Sequence, residues 1–230
     1  MFSLSYNNKF TGFLKKLGDK ETWGMLRDYL GLGRSSKVTP IEDLDSLAYF
    51  LQTRASHVAQ TGLYGYLRTR AGTRFPELFD HPDILVSINI AKWQIWLACL
   101  SDLTIYLGGL ILVSYPGKDE DVRAILVSAS EKILLETGMP EEAGSDFVTS
   151  IEKLKVRLQN FDWSTFEDNE SVFVQSPEAL VYWSPVADNL KKLDDSIVRN
   201  SMRFRWQEIR RSARELLSSE ALMSSISSRD

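Results

Sequence analysis

The sequence predicts an all-α protein, a single-domain helical bundle of five to seven helices around a central, largely apolar helix. Three observations predict it. Apolar residues recur every three or four positions along most of the chain, the spacing that lines one face of a helix. The stretch from Asp83 to Val113 is apolar nearly all round, as a helix enclosed by others must be. Glycine, proline and capping residues interrupt these patterns at spacings that suit helices of ordinary length.

The first strong element is announced by Thr39-Pro40-Ile41-Glu42, which has the form of a capping box with proline where no N–H is needed. Leu44, Leu47, Leu51, Ala55, Val58, Gly62 and Tyr66 then mark one buried face of a helix reaching about Arg70. Ala48, Ala55, Ala59, Gly62 and Gly65 lie on or beside that face and let another helix approach closely. The expected neighbour is the apolar helix itself, reached through a turn at Gly72 to Pro76 and restarted at His81-Pro82-Asp83.

That apolar helix is long enough to span a bilayer, and its residues from Ile95 to Val113 have the mean hydropathy of a transmembrane segment. Asp102 in the middle of the window, the polar residues Ser87, Gln94 and Ser101 at intervals of seven, and the Gly108-Gly109 pair favour a buried core helix over a membrane-embedded or re-entrant one. Asp102 needs a partner, because an isolated buried charge is costly; Lys92, Arg54 and Arg68 are the candidates.

Beyond Pro116-Gly117, helices are expected from about Asp119 to Glu136 and from about Ser145 through Leu158. Residues 162–175 interleave Trp163, Phe166, Phe173 and Val174 with four acids, a long connection whose aromatics suggest that it packs down. Ser176-Pro177-Glu178 and Ser184-Pro185 each read as a serine cap before proline, the second opening a helix to about Ser218 with Val186, Leu190, Leu193, Ile197 and Phe204 on one side. Residues 1–38 form a basic helical segment, and the serine-rich 218–230 a frayed tail, around a domain of 1–217 divided as 1–38, a core hairpin of 39–116, and 117–217.

At 230 residues, with 43% hydrophobic and 25% charged composition, the chain can bury one substantial core. A formal charge of −4 argues against a generally basic nucleic-acid binder. One cysteine, Cys99 within the apolar helix, gives no disulfide framework, and residues 1–10 lack the apolar run of an export signal, so the expected location is cytoplasmic, with peripheral attachment at the inner face of the membrane as the alternative.

Chemistry-bearing motifs are sparse. Two histidines, one cysteine and no Glu-x-x-His or His-Glu-x-x-His give no basis for a metal or another cofactor. Nucleotide cradles and the Gly-x-Ser-x-Gly elbow of serine hydrolases are missing too, and no catalytic residue stands out. Two basic faces remain as sites. Arg54, His57, Thr61, Tyr64 and Arg68 share one side of the first helix and suit an anionic group. In the last long helix Arg199, Arg203, Arg210 and Arg214 fall within about 60 degrees of one another around Trp206. Six arginines there face one acid, Glu208, and suit phosphate, lipid head groups, an acidic protein, or the chain's own residues 117–180, which hold fourteen acids against six bases.

The run from Phe50 to Thr61, continuing through Leu63 to Arg70 and Gly72-Thr73-Arg74, resembles an uncharacterised all-helical bacterial family, mostly alphaproteobacterial, some of whose members are labelled esterases. The resemblance covers about a third of the chain and implies a bacterial cytoplasmic protein; the elbow that the esterase label needs is missing. The function expected is a non-enzymatic interaction protein that docks a partner protein, or an anionic membrane surface, through a basic face, with self-association open. The alternative is a hydrolase, or a binder of anionic small molecules, using the Arg54, His57 and Arg68 face.

Overall fold

A computed structural model describes residues 39–227, with side chains to Ser225; the basic segment expected in 1–38 lies outside the described residues. Within them the fold is the expected all-α bundle. Its helices are α1 (Leu44–Ala71), α2 (Pro82–Ser114), α3 (Asp119–Thr137), α4 (Asp146–Asn160), α5 (Gln175–Trp183), α6 (Asp188–Leu216) and α7 (Ser219–Ser227). A 3-10 segment, Gly72–Asp80, joins α1 to α2 where the sequence suggested a turn.

The apolar helix α2 is the centre. It packs against α1, α3, α4 and α5, and is buried almost continuously from Ile95 to Ile111. By length and composition it passes the test for a membrane span, yet 83% of its apolar window is buried by the protein itself. It is the enclosed core helix of the kind found in soluble proteins.

Helix α1 begins four residues later than the capping box read from Thr39 to Glu42 places it. The working box is Asp43 with Ser46: the Asp43 carboxylate accepts from the Ser46 N–H at 2.8 Å, and the Ser46 hydroxyl oxygen accepts from the Asp43 N–H at 3.0 Å. Ile41 is thereby free to run beside the end of α6, donating its N–H to Leu216 at 2.8 Å and accepting from Ser218 at 3.0 Å.

Helix α1 packs most extensively on α2, as expected, but the glycines of its small face meet other neighbours. A Cβ built on Gly62 would lie 3.2 Å from the Met202 methyl of α6 and 3.5 Å from Leu180 of α5, so the notch serves those helices rather than α2. The tighter glycine contact is on α2. A Cβ on Gly108 would meet Leu126 and the Trp163 ring at 2.5 Å, and one on Gly109 the Phe166 ring at 2.2 Å. The Gly108-Gly109 pair is therefore a flat landing for the aromatic connection between α4 and α5, whose Trp163 and Phe173 are buried as expected, with Phe166 half-buried and Val174 exposed.

Three further expectations are corrected. Ser176 and Ser184 do not cap helices with their hydroxyls: α5 starts at Gln175, and the Ser184 hydroxyl donates back to Leu180 at 2.6 Å. The serine-rich end is not frayed from 218 onward, because α7 runs to Ser227 with Leu222 buried. The largest correction concerns α6, whose core face is Val198, Met202, Trp206, Ile209 and Ala213. Leu193, Ile197 and Phe204, expected inside, are 73%, 69% and 70% exposed.

Candidate docking surfaces

Asp102, in the middle of α2, is fully buried and organises everything near it. Its partner is none of Lys92, Arg54 or Arg68 but Arg157 of α4, whose Nη1 lies 2.6 Å from Oδ1; Lys92 instead reaches Glu142 at 3.2 Å. The other carboxylate contacts come from the first turn of α5: the backbone N–H of Gln175 at 3.2 Å, the N–H of Ser176 at 2.8 Å, and the Ser176 hydroxyl at 2.7 Å. Asp102 thus supplies from another helix the negative charge and acceptors that an N-terminus requires, and Pro177, lacking an N–H, leaves one fewer to satisfy. Arg157 also donates to Ser101 and to the Val172 carbonyl, and the Trp206 indole donates to the Ser176 hydroxyl at 2.9 Å. Burial pushes the Asp102 carboxyl upward, opposed by Arg157 and the Ser176 bonds. Burial and then the Asp102 charge hold the Cys99 thiol well above its usual range, so this sealed cluster carries no activated nucleophile.

The arginine stripe divides. Arg210 donates to the Asp168 carbonyl at 2.8 Å and lies over the Tyr106 ring, with its Nε buried and unpaired. Arg214 reaches both the Asp168 carboxylate and the Tyr106 hydroxyl at 3.0 Å. Partial burial raises the Asp168 carboxyl, but the Tyr106 bond and the two arginines outweigh it and hold the group below its usual range. Arg199 pairs with Asp195 at 2.9 Å and reaches Glu178 at 3.9 Å. Much of the stripe therefore faces the chain's own acids. Trp206 is fully buried, stacked on Phe173 with centroids 4.5 Å apart. Arg203 remains exposed at the rim of a shallow niche of about 450 Å³ formed with Phe173, Val174 and Arg210.

On α1 the second candidate face is only partly assembled. The Arg54 guanidinium sits 5.5 Å from the Phe50 ring centre, and the Thr61 hydroxyl donates to the His57 carbonyl at 2.7 Å. Tyr64 is half-buried near Phe79, while His57 and Arg68 are exposed. Ser56 and His57 are successive residues of a helix, about 100 degrees apart, and do not face each other as a nucleophile and its base would.

A more voluminous concavity than the niche beside Arg203 lies elsewhere. Between α4 and α6, over a floor of α2 and α5, runs an open groove of about 1260 Å³. Leu97, Ala98 and Leu154 give it apolar ground, Tyr182 and Trp183 an aromatic wall. Gln94 is 3% exposed, and its Oε1 accepts from Ser150 at 2.6 Å while its Nε2 has no partner. Of the charged lining, Arg199 is paired as described and Lys191 lies 4.0 Å from Asp188. Lys153 of α4 and Lys192 of α6 form no ion pair among the described residues, and neither does Asp146 of α4, so each wall offers a cation and the α4 wall an acid as well.

Sequence reasoning had found Arg199 in this region but not Gln94, Lys153, Tyr182 or Lys192. A signal existed in the seven-residue polar repeat of α2: Gln94 and Ser101, one repeat apart, both meet α4, through Ser150 and Arg157. Among the described residues no group of three or more His, Cys, Asp or Glu is placed to hold a metal ion. Taken together, fold and surface define an all-α bundle with a sealed polar centre and an open, mixed-charge groove. Comparison with protein families, with curated proteins and with solved structures finds nothing that matches the chain.

Proposed function

We propose that this chain is a non-enzymatic docking protein that receives an acidic segment of a partner protein in the groove between α4 and α6. The observation that carries the reading is the groove itself. At about 1260 Å³ it exceeds the roughly 300–1,000 Å³ of ordinary small-molecule sites and is open enough for a stretch of polypeptide. Its cations without an ion pair among the described residues are Lys153 and Lys192 on opposite walls, beside one acid in the same condition, Asp146 of α4. The basic face expected from the arginine stripe contributes Arg199 to this groove, while Arg210 and Arg214 hold the fold. A cytoplasmic location is part of the proposal and is supported by the lone, buried, reduced Cys99.

The test is affinity capture with the full-length protein, wild type beside the Lys153→Glu, Lys192→Glu pair, with bound proteins and lipids identified by mass. A protein captured by wild type and lost by the pair, with unchanged helicity and thermal midpoint, supports the groove. Retention of the same partner by the pair would refute it. Pelleting with anionic liposomes that high salt reverses would transfer the reading to a membrane surface.

A further inference from the structure

Helix α6 turns its expected inside outward, and the outward face has its own order. Leu190, Leu193, Ile197, Asn200, Phe204, Gln207 and Arg211 succeed one another at spacings of three and four, the pattern of a coiled-coil seam. With Leu190, Ile197 and Phe204 at the a positions and Leu193, Asn200 and Gln207 at d, the core-facing Val198, Met202, Trp206, Ile209 and Ala213 fall on b, c and f. The seam and the core contacts therefore occupy opposite sides of one helix. Three large apolar side chains at 69–73% exposure, aligned along two heptads, are more than scattered surface residues.

The flanks say what covers the seam. In a parallel pair the g residue of one helix meets the e residue five positions on in its partner. Here that places Arg203 opposite Glu208 of a second copy, twice by symmetry. Both side chains are exposed, and neither forms an ion pair among the described residues. The preceding g–e combinations are Ser196 with Ser201 and Asn189 with Asp194, so no like charges face each other along the apolar stretch. In an antiparallel pair, g meets g, and the same Arg203 would lie against Asn189, Ser196 or another arginine, none of them an acid. We infer that the α6 crest is a parallel two-fold contact between two copies of this chain, with Leu193, Ile197 and Phe204 as its apolar ridge and Arg203–Glu208 pairs closing its edges. It is independent of the groove between α4 and α6.

Two heptads with Asn200 in the middle make a short seam, and an interface of this size falls at or below the lower end of the standard range, so the dimer is reversible. The experiment is sedimentation of the full chain from about 5 to about 500 micromolar, a range that brackets weak interfaces of this size. Wild type is expected to rise from one chain mass toward two. Phe204→Asp, an exposed position, should hold it at one mass with an unchanged far-ultraviolet spectrum. Arg203→Glu and Glu208→Arg should each weaken association about tenfold or more, by placing like charges together, and the combined swap should restore it. A single-chain mass at every concentration overturns the proposal. So does a dimer indifferent to Phe204→Asp, and a swap that fails to restore association overturns the parallel register.

Discussion

At the scale of single residues, Asp102 shows how a charge is tolerated in the most apolar helix of the chain. Four contacts converge on its two oxygens, one from a guanidinium and the rest from the start of α5 and its Ser176 hydroxyl. Asp102→Ala would leave Arg157 without its counter-charge and two N–H groups of α5 without acceptors; a loss of about 3–5 kcal/mol is expected in urea denaturation. Asp102→Leu combined with Arg157→Met should recover a large part of it, because an apolar pair avoids stranding one buried charge. If the double variant proves no more stable than Asp102→Ala, the cost lies in the α5 terminus rather than in the ion pair. Gly109 makes a second residue-scale case. Alanine is favoured over glycine in a helix by about 1 kcal/mol. Here its Cβ would lie 2.2 Å from the Phe166 ring, so Gly109→Ala should nevertheless destabilise by about 1–3 kcal/mol and alter the near-ultraviolet spectrum. Gly62→Ala meets only the flexible end of Met202 at 3.2 Å and should be much milder. Thermal midpoints for the two variants separate these expectations.

At the scale of elements, the connection between α4 and α5 is held near its start by Trp163 and Phe166 on the Gly108-Gly109 flat, and in its middle by Asp168 with Tyr106, Arg210 and Arg214. Asp168→Ala should release the middle of this segment while the helices remain, for a loss of about 1–3 kcal/mol. Faster hydrogen exchange confined to residues 163–173 is the expected readout, and exchange spreading through α2 would show that Asp168 supports the whole core instead. Helices α1 to α4 were legible because long apolar periodicity and strong stops act locally on the chain. The orientation of α6 was not. Its sequence offers two apolar faces, Leu193-Ile197-Phe204 and Val198-Met202-Trp206-Ile209, and the selection between them is made by Ser176 and Phe173, which anchor the Trp206 ring from thirty or more residues away. The Asp102 partner was missed for the same reason: Arg157 lies 55 positions along the chain, and periodicity does not report which helices become neighbours. Of the groove, only Arg199 and the polar repeat through Gln94 left a trace in sequence.

At the scale of the whole molecule, the ionisable side chains that bridge elements set a stability profile limited at both ends of the pH scale. Hydrogen bonds from Arg70 hold Asp194 low and tie α6 to α1. Lys92 outweighs partial burial to hold Glu142 low beside α2, and Asp168 is held low between the loop, α2 and α6. For each, the folded chain binds its proton more weakly than the unfolded chain, so the stabilisation is present above the ordinary carboxylate range and is lost as pH falls below about 4. Asp102 acts in the opposite sense. Its raised carboxyl favours the fold in its protonated form and tempers the acid loss. On the alkaline side Tyr66 and Tyr106 are both pushed up to about 12, first by burial and then by their aspartate partners. Their contribution is complete below about pH 10 and is lost as pH rises toward 12, because the unfolded chain then ionises first. Urea midpoints measured from pH 3 to pH 11 should therefore show a plateau with a fall on each side. In parallel, the phenolate absorbance of these two tyrosines should emerge only with unfolding. Tyr106→Phe, which removes one of them and the Asp168 bond together, should lower the plateau and make the alkaline fall shallower; an unchanged alkaline limb would locate the titrating groups elsewhere.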